Sequence, residues 1–322
     1  MNRATNPTDQ AWLDAAAATP LERVNNCNLL IGRFDSPAAL WSACPSALIR
    51  DNGHTTTLAA DNPSVLAPYG TDADKARAML AAGVPLQEHR ERIAKLLERA
   101  DVGAVESECA AFSCRPAYAY FADADEAVAD RVTEGAEVWQ AGIRRGRIAP
   151  TVRIGYNTLA KFGFQGHSNY IAFAAVAHVV CSAAAALGWQ IELTYVNVGI
   201  EQGIRNGRDG VLGIACRVAD PSRPFDPDVI AAHAGSAGHQ WATWAFNCSA
   251  CDAYRNSGYA FTSSRHSIYT NSEELKAVQK FLGLDYLVNT CDTSATLEQI
   301  SAGILKAGMT AAMADAAARQ DR

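Results

Sequence analysis

Lys161 and His167 share the segment Asn157-Thr158-Leu159-Ala160-Lys161-Phe162-Gly163-Phe164-Gln165-Gly166-His167-Ser168. A cation and an imidazole in a glycine-bearing turn have the chemistry to hold a small anion. Glycine N–H groups, an ammonium and the positive end of a following helix all favour negative charge. Asn157, Thr158, Gly163, Gly166 and Ser168 are the candidate ligand-binding positions. His167 is a candidate general base and Lys161 a candidate charge stabiliser. The alternative is a turn that simply joins two elements. It is not a P-loop, which needs Gly-Lys-Ser/Thr directly before the helix, and it lacks the dinucleotide glycine pattern. Asp292, in Asn289-Thr-Cys-Asp-Thr-Ser294, is the third candidate catalytic group. Its other reading is a helix cap.

Cys248-Ser-Ala-Cys251 is a single C-x-x-C pair. It is half of a zinc site if Cys109 and Cys114, or His233, His239 and His266, supply the other ligands. A redox pair would open a helix after a strand, and the preceding Trp241-Ala-Thr-Trp244 does not read that way. The third reading is coincidence of spacing on a helix. No cofactor is expected, with zinc the only metal the residues admit. His178 lies in an almost wholly apolar run and reads as a hydrogen-bonded core histidine. Arg144, Arg145, Arg147 and Arg153 form one sparse basic group, and Arg205, Arg208 and Arg217 another. Neither has the interleaved aromatics of a single-strand binder.

The elements that must position these groups centre on 152–197. Val152, Ile154 and Tyr156 alternate as a strand, an apolar helix runs from Ser168 or Asn169 to Gly188, and Gln190–Val198 is a second strand. That βαβ pattern predicts an α/β sheet, with ligands beyond the strand's C-terminal end. Gly199–Gly210 reads as a loop and Val211–Val218 as a third strand, which would leave the sheet mixed if the two strands pair as a hairpin. Upstream, Ser36-Pro37 opens a helix through about Arg50, Thr71-Asp72 opens one closed by Gly83, and Pro85 starts a third. A long helical pattern covers 123–145. Downstream, Asp226-Pro227 caps a short helix and Asn271 with Glu274 forms a capping box for a helix ending at Gly283. Tyr286–Val288 is a short strand, and Ser294 opens the last helix.

These patterns predict a three-layer, Rossmann-like or von Willebrand A-like α/β sheet, possible mixing of strand directions included. The expected organisation is a mainly helical region over 1–122, an α/β core over 123–310 and a frayed tail over 311–322. A von Willebrand A-type metal site would need Asp-x-Ser-x-Ser at the first strand end. Gly155-Tyr156-Asn157-Thr158 lacks that carboxylate.

With 322 residues, 49% hydrophobic and 19% charged, the chain has the make-up of a globular protein. The net charge of -6 disfavours nucleic acid and anionic membranes as partners. The N-terminal residues show no basic, then apolar, leader pattern, and nine cysteines spread through the chain fit reduced thiols, so a cytoplasmic setting is expected.

From about Asp123 onward, several features resemble an uncharacterised phage and prophage protein family of unknown function. They are Glu137-Val-Trp139 with Gly142, the strand Val152-Arg-Ile-Gly155, and an Ala-rich helix ending Ala-Leu-Gly-Trp189. Gln190-Ile-Glu-Leu193, Phe225-Asp-Pro-Asp228 and Trp241–Phe246 complete the set. The family carries Arg-Gly where this chain has Ser168-Asn169-Tyr170. The resemblance implies an α/β protein of viral or mobile-element origin and no particular activity. The leading expectation is a protein that binds a protein partner or assembles with itself. The alternative is a hydrolase or transferase on a small anionic substrate at the C-terminal edge of the sheet.

Overall fold

The computed structural model describes residues 7–45, 47–49, 55–57, 73–84, 87, 90, 91, 151–157, 190–220, 228, 229, 232, 238–257 and 272–289. Six strands make the main sheet: β1 (Glu22–Val24), β2 (Cys27–Phe34), β5 (Thr151–Asn157), β6 (Gln190–Arg205), β7 (Arg208–Ala219) and β8 (Tyr286–Asn289). Their order is β1-β2-β7-β6-β5-β8, and β3 (Ala47–Ile49) with β4 (Thr55–Thr57) forms a separate two-stranded ladder. β5 runs parallel to both β6 and β8, and β2 runs parallel to β7. β6 and β7 form an antiparallel hairpin, and β1 is antiparallel to β2. The sheet is therefore mixed, as the hairpin alternative anticipates, and it curls into a half-barrel.

Helices cover both faces, which makes the fold α/β. They are α1 (Pro7–Ala18), α2 (Pro37–Ala43), α3 (Ala73–Ala81), α4 (Gly238–Ala250), α5 (Asp252–Ser257) and α6 (Glu273–Leu282). Strand alternation sorts the core. Leu30, Ile154, Tyr156, Leu193, Tyr195, Leu212 and Ile214 pack with Trp12, Leu40, Trp41, Trp241 and Phe246 from α1, α2 and α4. Leu29, Ile31, Val196, Val198, Val211 and Ala215 pack on the other face with Leu275 and Val278 of α6. Both faces of the central strands are thus removed from water, the dominant stabilising term in such a sheet.

Several local expectations shift for identifiable reasons. Ser36 does cap α2, accepting from the Ala39 N–H at 3.0 Å. The helix ends at Ala43 instead of near Arg50, because Cys44 precedes Pro45 and is driven to extended backbone with ψ 125°. For α6 the cap is Ser272, which accepts from Leu275 N–H at 3.2 Å, and not Asn271. Glu274 is then a first-turn carboxylate favoured by the helix dipole. The stretch read as a loop, Gly199–Gly210, is strand almost throughout. β6 and β7 extend into it and close on Asn206-Gly207, with φ 52° and 72°. That backbone is the mirror-image turn that matches strand twist, and glycine adopts it without a Cβ penalty. The strand β2 has no counterpart in the sequence-based expectation for 1–122. The helices expected over 123–145 and 168–188 and from Ser294 lie outside the described residues.

Candidate functional site at the ends of β5 and β8

β5 and β8 are paired from Ile154↔Tyr286 to Asn157↔Asn289, so the two parallel strands finish at the same level. Asp285 fixes this register. Its carboxylate accepts from Arg153 N–H at 2.7 Å, and its own N–H donates to Arg153 O at 2.8 Å. The connection that leaves β5 leads to β6, which lies on the side of β5 away from β8. The C-terminal ends of β5 and β8 lie side by side, the end of the strands beyond which ligands of α/β sheets sit. In sequence, Lys161 and His167 follow β5 and Asp292 follows β8. Thr158, Lys161, Gly163, Gly166, His167, Ser168 and Asp292 lie outside the described residues, as does His178. The structure thus describes the strand ends from which these segments leave, and one candidate residue, Asn157.

Asn157 is fully buried. Its Nδ2 donates to Val198 O at 3.3 Å, and Val198 N–H donates to its Oδ1 at 3.1 Å. Nearby, Asn197 Nδ2 donates to Tyr195 Oη at 3.0 Å, and the Tyr195 ring meets Tyr156 edge-on at 5.5 Å. The two Asn157 bonds hold β5 and β6 together beyond their last paired residues.

Cys248 and Cys251 are buried cysteines at the C-terminal end of α4. Burial pushes the Cys251 thiol above its ordinary range, and the Glu201 and Asp252 carboxylates add to that, against the lowering effect of backbone hydrogen bonds from Tyr254 and Ala253. Cys251 directly precedes α5, whose first N–H groups favour thiolate, but burial outweighs them, whereas a redox thiol needs that balance reversed. Among the described residues no group of three or more His, Cys, Asp or Glu side chains is placed to hold a metal ion. The raised thiol has a stability consequence. The folded state holds its proton more tightly, so its contribution is fully present below the ordinary thiol range and is lost as pH rises above it. Unfolding midpoints in urea are expected to be flat up to about pH 8.5 and to fall above it, less steeply in Cys251→Ser.

Arg205 belongs to the joint between the hairpin and the helices. It donates to Thr19 O at 2.6 Å, Ala17 O at 3.0 Å and Ala250 O at 3.0 Å, the carbonyls at the ends of α1 and α4. Asp252 accepts from Asn206 N–H at 2.8 Å, and buried Glu201 accepts from the Tyr254 hydroxyl at 2.9 Å. Arg217 pairs with Glu192 at 3.4 Å. These contacts account for two of the three members of the second basic group without any ligand.

A cleft of about 430 Å³ opens between α1, β2 and α2, with Trp12, Phe34 and Phe246 among its walls. The Trp12 and Phe34 rings stack at 5.3 Å with an interplanar angle of 10°. Ala11 and Ala15 are its exposed lining residues from α1. No family model, curated protein or solved structure matches the chain. Among the described residues no helix is long and apolar enough to cross a membrane.

Proposed function

We propose that the β5–β8 edge binds a small anionic molecule and that the protein acts on it as a hydrolase or transferase. The parallel pairing of β5 with β8 carries this reading, because it brings two strand C-termini to one edge, where ligands of α/β sheets sit. The two segments with the candidate chemistry follow those two strands. Lys161 supplies positive charge for the anion, His167 the general base, and Asp292 a third group from the neighbouring strand. Titration calorimetry with inorganic pyrophosphate tests it. Lys161→Ala and His167→Ala are each expected to weaken binding about tenfold or more. No wild-type binding up to about 1 mM, or unchanged affinity in both variants, would overturn it.

A second reading, binding of a protein partner or self-assembly, is favoured by the cleft between α1, β2 and α2. Its aromatic walls suit an apolar segment and bring together no acid–base pair. The two readings differ in where the working surface lies. In either, the finer architecture is a three-layer Rossmann-like or von Willebrand A-like core, and the chain is of phage or prophage origin. It works in the cytoplasm of a host cell or in a virion, needs no cofactor, and has neither membrane nor nucleic acid as its partner.

A further inference from the structure

We infer that the edge of β2 beside the cleft binds an extended peptide segment of a partner protein by antiparallel strand addition. The inference rests on the second reading, a protein partner at this cleft, and gives that partner its chemistry. β1 and β2 close on Asn25-Asn26, with φ 49° and 65°, and Val24↔Cys27 is the pair next to that turn. In a two-residue hairpin that pair exchanges both main-chain hydrogen bonds, and every second residue beyond it faces the same way. Along β2 these are Leu29, Ile31 and Arg33. β1 begins at Glu22, opposite Leu29, and Pro20, which would come opposite Ile31, has no N–H to give. β7 lies on the other side of β2. Ile31 is buried, but Arg33 is exposed and lines the cleft. Among the described residues no hydrogen bond meets the Arg33 N–H or C=O from the side of β1.

An unpaired N–H and C=O on an exposed strand residue suit another extended main chain. An antiparallel strand fits this edge, because one of its residues takes both Arg33 bonds. Strand alternation then sorts the side chains of the added strand. Arg33 turns to the α6 face, with its guanidinium over the Phe281 ring at 5.1 Å, so a carboxylate is favoured opposite it. The residues on either side of that carboxylate face the cleft, next to Gly32 and Phe34. Gly32 has no side chain, and a Cβ there would meet the Phe246 ring at 2.6 Å, so that ring sits directly against β2. With Trp12 and Phe34 it makes a wall for apolar side chains. The occupant is therefore an extended segment with a carboxylate between two apolar residues.

Titration calorimetry of the full chain with the capped peptide Ac-Thr-Leu-Asp-Leu-Thr-NH₂ tests this. Binding is expected with Kd below about 1 mM. N-methylation at Asp removes the N–H given to Arg33 O and should weaken binding about tenfold or more. N-methylation at the second Leu, whose N–H faces away from β2, should cost less than about threefold. Ala15→Trp, which fills the cleft from an exposed position, and Arg33→Glu should each weaken binding about tenfold or more. Both positions are exposed, so the urea midpoint should stay within the range of surface substitutions. No binding of the parent peptide up to about 1 mM overturns the inference. Equal effects of the two N-methyl groups overturn strand addition; if Ala15→Trp still abolishes binding, the cleft keeps its partner and only the mode of binding falls. A concentration-dependent dimer that Ala15→Trp abolishes, without peptide binding, overturns it in favour of a second copy at the same edge.

Discussion

Gly213→Ala is expected to lower the folding free energy by about 4 kcal/mol, the combined scale of backbone strain and core overpacking. Gly213 lies in β7 between Ile31 of β2 and Val198 of β6. Its φ is +154°, and an added Cβ would stand 2.0 Å from Asn197 O and 2.9 Å from Val198 Cα. These are main-chain atoms of a strand paired on both sides, so neither can move without breaking ladder bonds. Gly207→Ala provides the contrast. That position also has positive φ, but a Cβ there meets nothing within 4 Å. Its cost is conformational only, about 1 kcal/mol. Urea unfolding followed by circular dichroism measures both. Equal losses would show that the close approach in β7 is not what demands glycine.

Arg205→Met should cost about 3 kcal/mol, because it removes charge-assisted bonds to Thr19 O, Ala17 O and Ala250 O together. The last carbonyls of a helix have no intrahelical donor, and this single guanidinium serves the ends of α1 and α4 from the hairpin. Arg205→Lys should recover only part of the loss, since an ammonium cannot span three acceptors with the geometry of a planar fork. Exchange of amides in the last turns of α1 and α4 should accelerate in the Met variant. A loss below about 1 kcal/mol would reduce Arg205 to an ordinary surface contact.

Where the structure agrees with expectation, the signal was periodic and local. Val152, Ile154 and Tyr156 alternate, as do Ile191, Leu193 and Tyr195, and both sets face one core. Ser36 and Gly283 mark helix ends through short-range chemistry and were legible as such. β2 was missed because Leu29, Leu30 and Ile31 are buried on both faces, which erases alternation. The hairpin extension was missed because glycines and arginines around Asn206-Gly207 read as loop composition. The Asn-Gly pair itself was the stronger cue.

At the candidate site the limit is different. Asn157 could be singled out from its place at a strand end, but its partner Val198 lies 41 residues away. Nothing short of the strand pairing shows that the amide meets main chain and not a ligand. The strand order that puts β8 beside β5 is likewise a long-range fact, set by Asp285 against Arg153. The chemistry of Cys251 also depends on distant neighbours. Glu201 approaches it only because the hairpin folds back onto α5.

The most direct test of the β5–β8 edge as the working surface is hydrogen–deuterium exchange on the whole chain with and without pyrophosphate. Slower exchange is expected in peptides that include Asn157 to Ser168 and Asn289 to Asp292, with no change around Ala11 to Thr19. Protection confined to Ala11 to Thr19 and the facing strand, or none anywhere, would contradict it.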